Sequence, residues 1–173
     1  MRRFAAAFAA MLATCPGLVH AAQPCLTAAE ASSLTAYALP SAITGTAKRC
    51  VPNLGTNAFL PTGGAELAAR YAVRKHQNWP AAKAAFLKMG AKDESSAFLA
   101  NMPDPSLQQM LDALIEGMVA QQIPLDRCAE IDRVVGLLAP LPAQNTAELL
   151  AVMFGLAGKT GKAKNDLFSI CES

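Results

Sequence analysis

Side chains able to do chemistry are few in this chain, and they stand apart. Of its two histidines, His20 and His76, only His76 lies outside the N-terminal apolar segment. No cluster of imidazole ligands can therefore form, and no serine or cysteine triad unless His76 is its base. The cysteines, Cys15, Cys25, Cys50, Cys128 and Cys171, show neither the C-x-x-C spacing of redox catalysts nor the C-x-x-C-H of haem attachment. In Gly155-Leu156-Ala157-Gly158-Lys159-Thr160 two residues separate the glycines where a phosphate-binding loop needs four. Gly158 there reads as a helix stop, with Lys159 at the carbonyl end of the dipole. Met89, Met102, Met110, Met118 and Met153 lack the close Met-x-x-Met grouping of copper carriers, and most fall on apolar stripes as core residues do. No cofactor, metal or catalytic residue is expected from these patterns.

Glu94-Ser95 beside Phe98 resembles the Glu-Ser start of a lytic transglycosylase helix, in which a single buried glutamic acid protonates a glycosidic oxygen. The Gly-Leu-Met-Gln signature of that family is absent, and Asp93-Glu94 also suits the capped start of an ordinary helix. A cell-wall glycosidase using Glu94 is the enzyme-class alternative.

The first residues set the compartment. Arg2 and Arg3 precede an apolar run from Phe4 to Leu12 that is too short to span a bilayer, Pro16 and Gly17 break it, and Val19-His20-Ala21 offers small residues to a leader peptidase. Residues 1–21 are expected to be a signal peptide, and residues 22–173 one exported domain, in bacterial periplasm. Leu12-Ala13-Thr14-Cys15 resembles a lipoprotein box and Arg2-Arg3 the start of a twin-arginine leader; neither would change the compartment. No later apolar run is long enough for a membrane span.

Loss of Cys15 leaves Cys25, Cys50, Cys128 and Cys171, an even number that reads as two disulfides in an oxidising compartment. Closing the shortest loops pairs Cys25 with Cys50 and Cys128 with Cys171.

Charge is divided along the chain. From residue 22 to Lys92 the basic residues Lys48, Arg49, Arg70, Arg74, Lys75, Lys83, Lys88 and Lys92 face only Glu30 and Glu66, whereas the remainder is strongly acidic. Arg70, Arg74, Lys75, Lys83 and Lys88, with Trp79 among them, form the candidate binding surface, suited to an acidic protein or another polyanion. Asp104, Asp112, Glu116, Asp126, Glu130 and Asp132 form its acidic counterpart. Basic and acidic helices packed side by side would use up the same residues internally. Near-neutral total charge and export argue against nucleic acid.

The elements that must position these residues are all helical. Thr27-Ala28-Ala29-Glu30 has capping-box spacing and opens a helix expected to end before Pro40. Cys50 to Gly64 carries enough Pro, Gly and Asn to read as a loop. Helices are predicted over about 65–77, from Trp79-Pro80 to Gly90, and briefly after a capping Asp93. In the segment Pro105–Gln122, Leu107, Met110, Leu111, Leu114, Ile115, Met118 and Val119 recur with helical period, which predicts the central helix. A helix capped by Asp126 is expected to stop at Pro140, and a last one to run from Asn145 or Thr146 to Gly158. The fold class is all-α: a compact bundle of about five to seven helices stapled by two disulfides.

By elimination the function expected is that of an exported, disulfide-stabilised binding module engaging a protein partner in the cell envelope, in an inhibitor, immunity-type or assembly-accessory role. A structural or stress-related envelope protein is a further alternative.

Overall fold

A computed structural model describes residues 25–90, 96–159 and 171. Among the described residues seven helices follow in order: α1 (Ala28–Cys50), α2 (Phe59–Ala72), α3 (Lys75–Met89), α4 (Ser96–Asn101), α5 (Asp104–Gln122), α6 (Cys128–Leu138) and α7 (Ala143–Lys159). Short 3-10 turns cover Val51–Asn53 and Leu125–Arg127, and the described residues contain no strand. The all-α bundle is as expected. The leader expected over residues 1–21, together with Lys92, Asp93 and Glu94, lies outside the described residues.

The centre of the bundle is α1, not α5. It packs against α2, α3, α5 and α7, and its buried positions include Ala31, Ser32, Ala36, Ser41, Gly45 and Thr46 beside Leu34, Tyr37, Leu39 and Ile43. Small side chains on several faces let neighbouring helices close in from all sides, as a helix enclosed by others requires. The capping box forms as expected: the Glu30 amide donates to Thr27 Oγ1 at 3.2 Å and the Thr27 amide to Glu30 Oε2 at 2.7 Å. Pro40 does not end the helix. It sits inside α1, buried, where packing on every side outweighs the roughly 3 kcal/mol that an interior proline costs an exposed helix.

Four other boundaries differ from expectation. The segment 50–64 is a loop only over 54–58, because α2 takes up Pro61 in its first turn and Gly63 and Gly64 behind it. The chain breaks at Val73-Arg74, so α3 begins at Lys75 and carries Pro80 within it. Asp126 lies in a 3-10 turn and makes no side-chain cap for α6, and α7 starts at Ala143.

Partners along α1 give each neighbour its direction. Lys75 meets Ser41 and Lys88 meets Glu30, so α3 runs antiparallel to α1. Tyr37, Ser41 and Lys48 meet Gln108, Asp112 and Glu116 in turn, so α5 runs parallel. Along α7, Ala147 joins the buried cluster of Ala36, Leu39 and Ile43, Ala151 joins that of Ala31 and Leu34, and Gln144 Nε2 donates to Ser32 Oγ at 3.2 Å.

This topology overturns the expected disulfide pairing. The bridges are Cys25–Cys171 and Cys50–Cys128, with Cα–Cα distances of 4.9 and 5.2 Å, inside the range a disulfide can close. Shortest-loop pairing fails because α1 is one helix of 23 residues, which holds Cys25 and Cys50 at opposite ends at ~1.5 Å per residue. Cys50 instead meets Cys128, because the parallel run of α5 ends beside the end of α1, where Arg49 Nε donates to the Ile123 carbonyl at 3.0 Å. At the other end the Cys171 amide also donates to the Leu26 carbonyl at 2.8 Å.

Two helices cap each other across the bundle. Ala58 offers α2 no side-chain cap, and Asp132 of α6 supplies one, accepting the Phe59 and Leu60 amides at 3.1 and 2.6 Å. In return Arg70 Nη2 of α2 donates to the Ala139 carbonyl at 2.5 Å, and the Tyr71 hydroxyl bonds the Leu141 carbonyl and Thr146 Oγ1, each at 3.0 Å. Carbonyls at the end of α6 would otherwise go unsatisfied.

Candidate functional site

The basic residues singled out in the sequence sit mainly on α3, and most of them are tied inward. Lys75 Nζ donates to Asp112 Oδ1 at 2.5 Å and lies 4.6 Å from the centre of the Tyr37 ring. Lys83 pairs with Asp104 at 2.7 Å, and Lys88 with Glu30 at 2.8 Å. Arg70 is bound to the end of α6 as described, Arg74 donates to Gln77 on the surface at 3.0 Å, and Trp79 is buried against Tyr37 with ring centroids 5.1 Å apart. Lys48 of α1 pairs with Glu116. Lysines at 48, 75 and 83 thus meet acids at 116, 112 and 104, and the division of charge along the chain closes on itself through α5. His76 is exposed.

Charge and burial act on several of these groups. Lys88 first, and the Thr27 amide next, hold the Glu30 carboxyl below the usual carboxylate range. Lys83 does the same for Asp104, with a smaller push from the Trp79 indole. That indole nitrogen is buried and falls short of hydrogen-bond geometry with any described residue. Tyr37 is pushed well above the ordinary phenol range, first by burial and then by the nearby Asp112 charge. Glu130 raises Arg127 through their hydrogen bond.

Ser41, Lys75 and Asp112 bring a hydroxyl, an amine and a carboxylate together, the types that nucleophilic catalysis uses. Ser41 Oγ donates to Asp112 Oδ1 at 3.1 Å, and Lys75 Nζ lies 3.5 Å from Ser41 Oγ. Their geometry is that of a structural tie. Ser41 is buried, and an ammonium already paired with a carboxylate is a poor base. Glu94, the carboxylate of the glycosidase alternative, lies outside the described residues, as does Thr160. Gly155 to Lys159 are helical, within α7. Among the described residues no three His, Cys, Asp or Glu side chains gather as a metal site.

What the sequence reading missed is apolar. Only Leu107 and Leu111 of α5 are fully buried, while Met110, Leu114 and Met118 are 36–47 % exposed. Along α7, Leu149, Val152, Met153 and Leu156 are 43–60 % exposed, and their i, i+3, i+4, i+7 spacing sets them in one outward row. On α6, Val134 is exposed to a similar degree and Leu137 more so. The helical period was visible in both sequences; which arc of it faces inward was not. A shallow groove of about 320 Å³ between α1 and α2, lined mainly by Ala47, Val51, Leu60, Pro61 and Ala68, has Lys48 and Thr44 at its polar positions. No described helix is long and apolar enough to cross a membrane.

Comparisons with protein-family models, with curated proteins and with solved structures find no match to this chain.

Proposed function

We propose that this chain is an exported binding module that engages a protein partner in the cell envelope, and that the outer row of α7 is what it presents. The observation carrying this reading is the exposure of Leu149, Val152, Met153 and Leu156 together on one helix face, uninterrupted by any charged residue. An apolar row of that kind is costly to leave in water and is the usual anchor for a helix laid into a groove. All four side chains are large, so the row is a ridge, and its complement is an uncharged apolar groove on another protein. Two disulfides in a chain of this size support an oxidising compartment. The basic surface on α3 is the weaker candidate, because Lys75, Lys83 and Lys88 already hold carboxylates.

The test is capture from envelope extract by the oxidised chain, using wild type, Met153→Lys and Arg74→Glu at low and high salt. One stoichiometric protein retained at both salts by wild type and by Arg74→Glu, and lost with Met153→Lys, is the result expected. Retention that falls with salt and fails with Arg74→Glu would return the binding site to α3. An empty column under all conditions would end both readings.

A further inference from the structure

We infer that the outer face of α5 is a self-association surface, on which α5 of a second copy packs antiparallel about a two-fold axis near Leu114.

The first ground is charge. An isologous contact sets a surface against itself, so charges on it meet their own kind across the axis. On α5 the acidic residues are Asp104, Asp112 and Glu116, and Lys83, Lys75 and Lys48 of the same chain hold all three. What remains outside, Gln109, Met110, Ala113, Leu114, Gly117 and Gln121, carries no charge. It can oppose itself without repulsion, and no lysine or carboxylate on it needs stripping of water.

The second ground is shape. Leu114 projects, 47 % exposed, beside Ala113 and Gly117, and a Cβ built on Gly117 would have open space around it. Knob and hollow lie side by side on one face, so an antiparallel copy can seat its Leu114 in the hollow and receive the other in return. The same device already works inside the molecule, where Gly45 lets α1 come against the backbone of α5 at Glu116. Antiparallel pairing also sets the two helix dipoles head to tail.

Sedimentation equilibrium of the oxidised chain, purified from the periplasm of an expression host over a range of concentrations and salts, tests the inference. A reversible dimer is expected whose affinity changes little with salt. Leu114→Lys puts a charge into each hollow beside the axis, and Gly117→Leu fills the hollow while the monomer has room for it. Each should weaken the dimer by at least about tenfold with an unchanged circular dichroism spectrum. Met153→Lys should leave the dimer intact, which separates this surface from the α7 ridge. A wild-type chain that stays monomeric throughout would overturn the inference. So would a dimer that survives both α5 substitutions, or one broken by Met153→Lys alone.

Discussion

Gly45 of α1 lies directly against the backbone of Glu116 on α5: a Cβ at Gly45 would run into the Glu116 carbonyl oxygen and stand 3.1 Å from its Cα. Backbone cannot swing aside as a side chain does, so anything larger than hydrogen must push the two helices apart. Beside this crossing, Lys48 reaches Glu116 and Ser41 reaches Asp112.

Gly45→Ala is expected to destabilise the fold, although alanine favours helix by about 1 kcal/mol over glycine. Overpacking of a tight contact costs about 1–3 kcal/mol, and the separation would also strain the Lys48–Glu116 and Lys75–Asp112 pairs. Thermal unfolding gives the answer: a lower Tm is expected, and an unchanged or higher one would mean that α1 and α5 part freely.

That crossing also shows what the sequence leaves unread. Thr27 and Glu30 announce the start of α1 because a capping box is local chemistry, and the apolar period of 105–122 announces α5 for the same reason. Gly45 and Pro40 look like breakers, and their tolerance depends on what surrounds α1, which no local pattern records. Depth is hidden too. Met110, Leu114 and Met118 share one period with Leu107 and Leu111, yet only the last two reach the core. The candidate site on α3 was legible as a run of positive charge, but its carboxylate partners arrive from α1 and α5, by way of the tertiary fold. The disulfides follow helix direction, so loop length pointed to the wrong pairs.

The two disulfides should differ in their response to reductant. Cys50 and Cys128 are essentially inaccessible, whereas Cys25 and Cys171 are half-buried, and thiol attack needs access. Mild reduction followed by alkylation and peptide mapping is expected to label Cys25 and Cys171 first. Replacing both by Ser should cost up to about 4–5 kcal/mol on the chain-entropy estimate. Labelling of Cys50 and Cys128 first would contradict the burial.

Asp132 is expected to matter more than a surface carboxylate does. It accepts two amides at the start of α2, Phe59 and Leu60, a helix whose own N-cap is an alanine. Asp132→Ala should leave both amides unsatisfied, with a loss of about 1–3 kcal/mol. Asp132→Asn should recover part of it, since an amide oxygen can still accept. Denaturant unfolding of the three proteins measures this series. Equal stability of Asp132→Ala and wild type would mean that water replaces the carboxylate at no cost.

Acid should weaken the fold through Glu30. Its carboxyl is held below its ordinary value of 4.5 by Lys88 and by the Thr27 amide, so in the window beneath that value the unfolded chain binds more protons than the folded one. Stability therefore rises with pH through this window, is fully present above it, and is lost as pH falls through the folded value. Glu30→Gln keeps an acceptor for the Thr27 amide but loses the charge that holds Lys88 at 2.8 Å. At neutral pH it should be less stable than wild type by about 0.5–1 kcal/mol, the scale of a half-exposed pair, with the gap narrowing as salt is added. As pH falls below 4.5 and through the lower folded value the two Tm curves should converge, because wild type then carries a protonated Glu30 as well. Curves that stay parallel over the whole acid range in which the protein remains folded would show that folding does not favour the Glu30 charge.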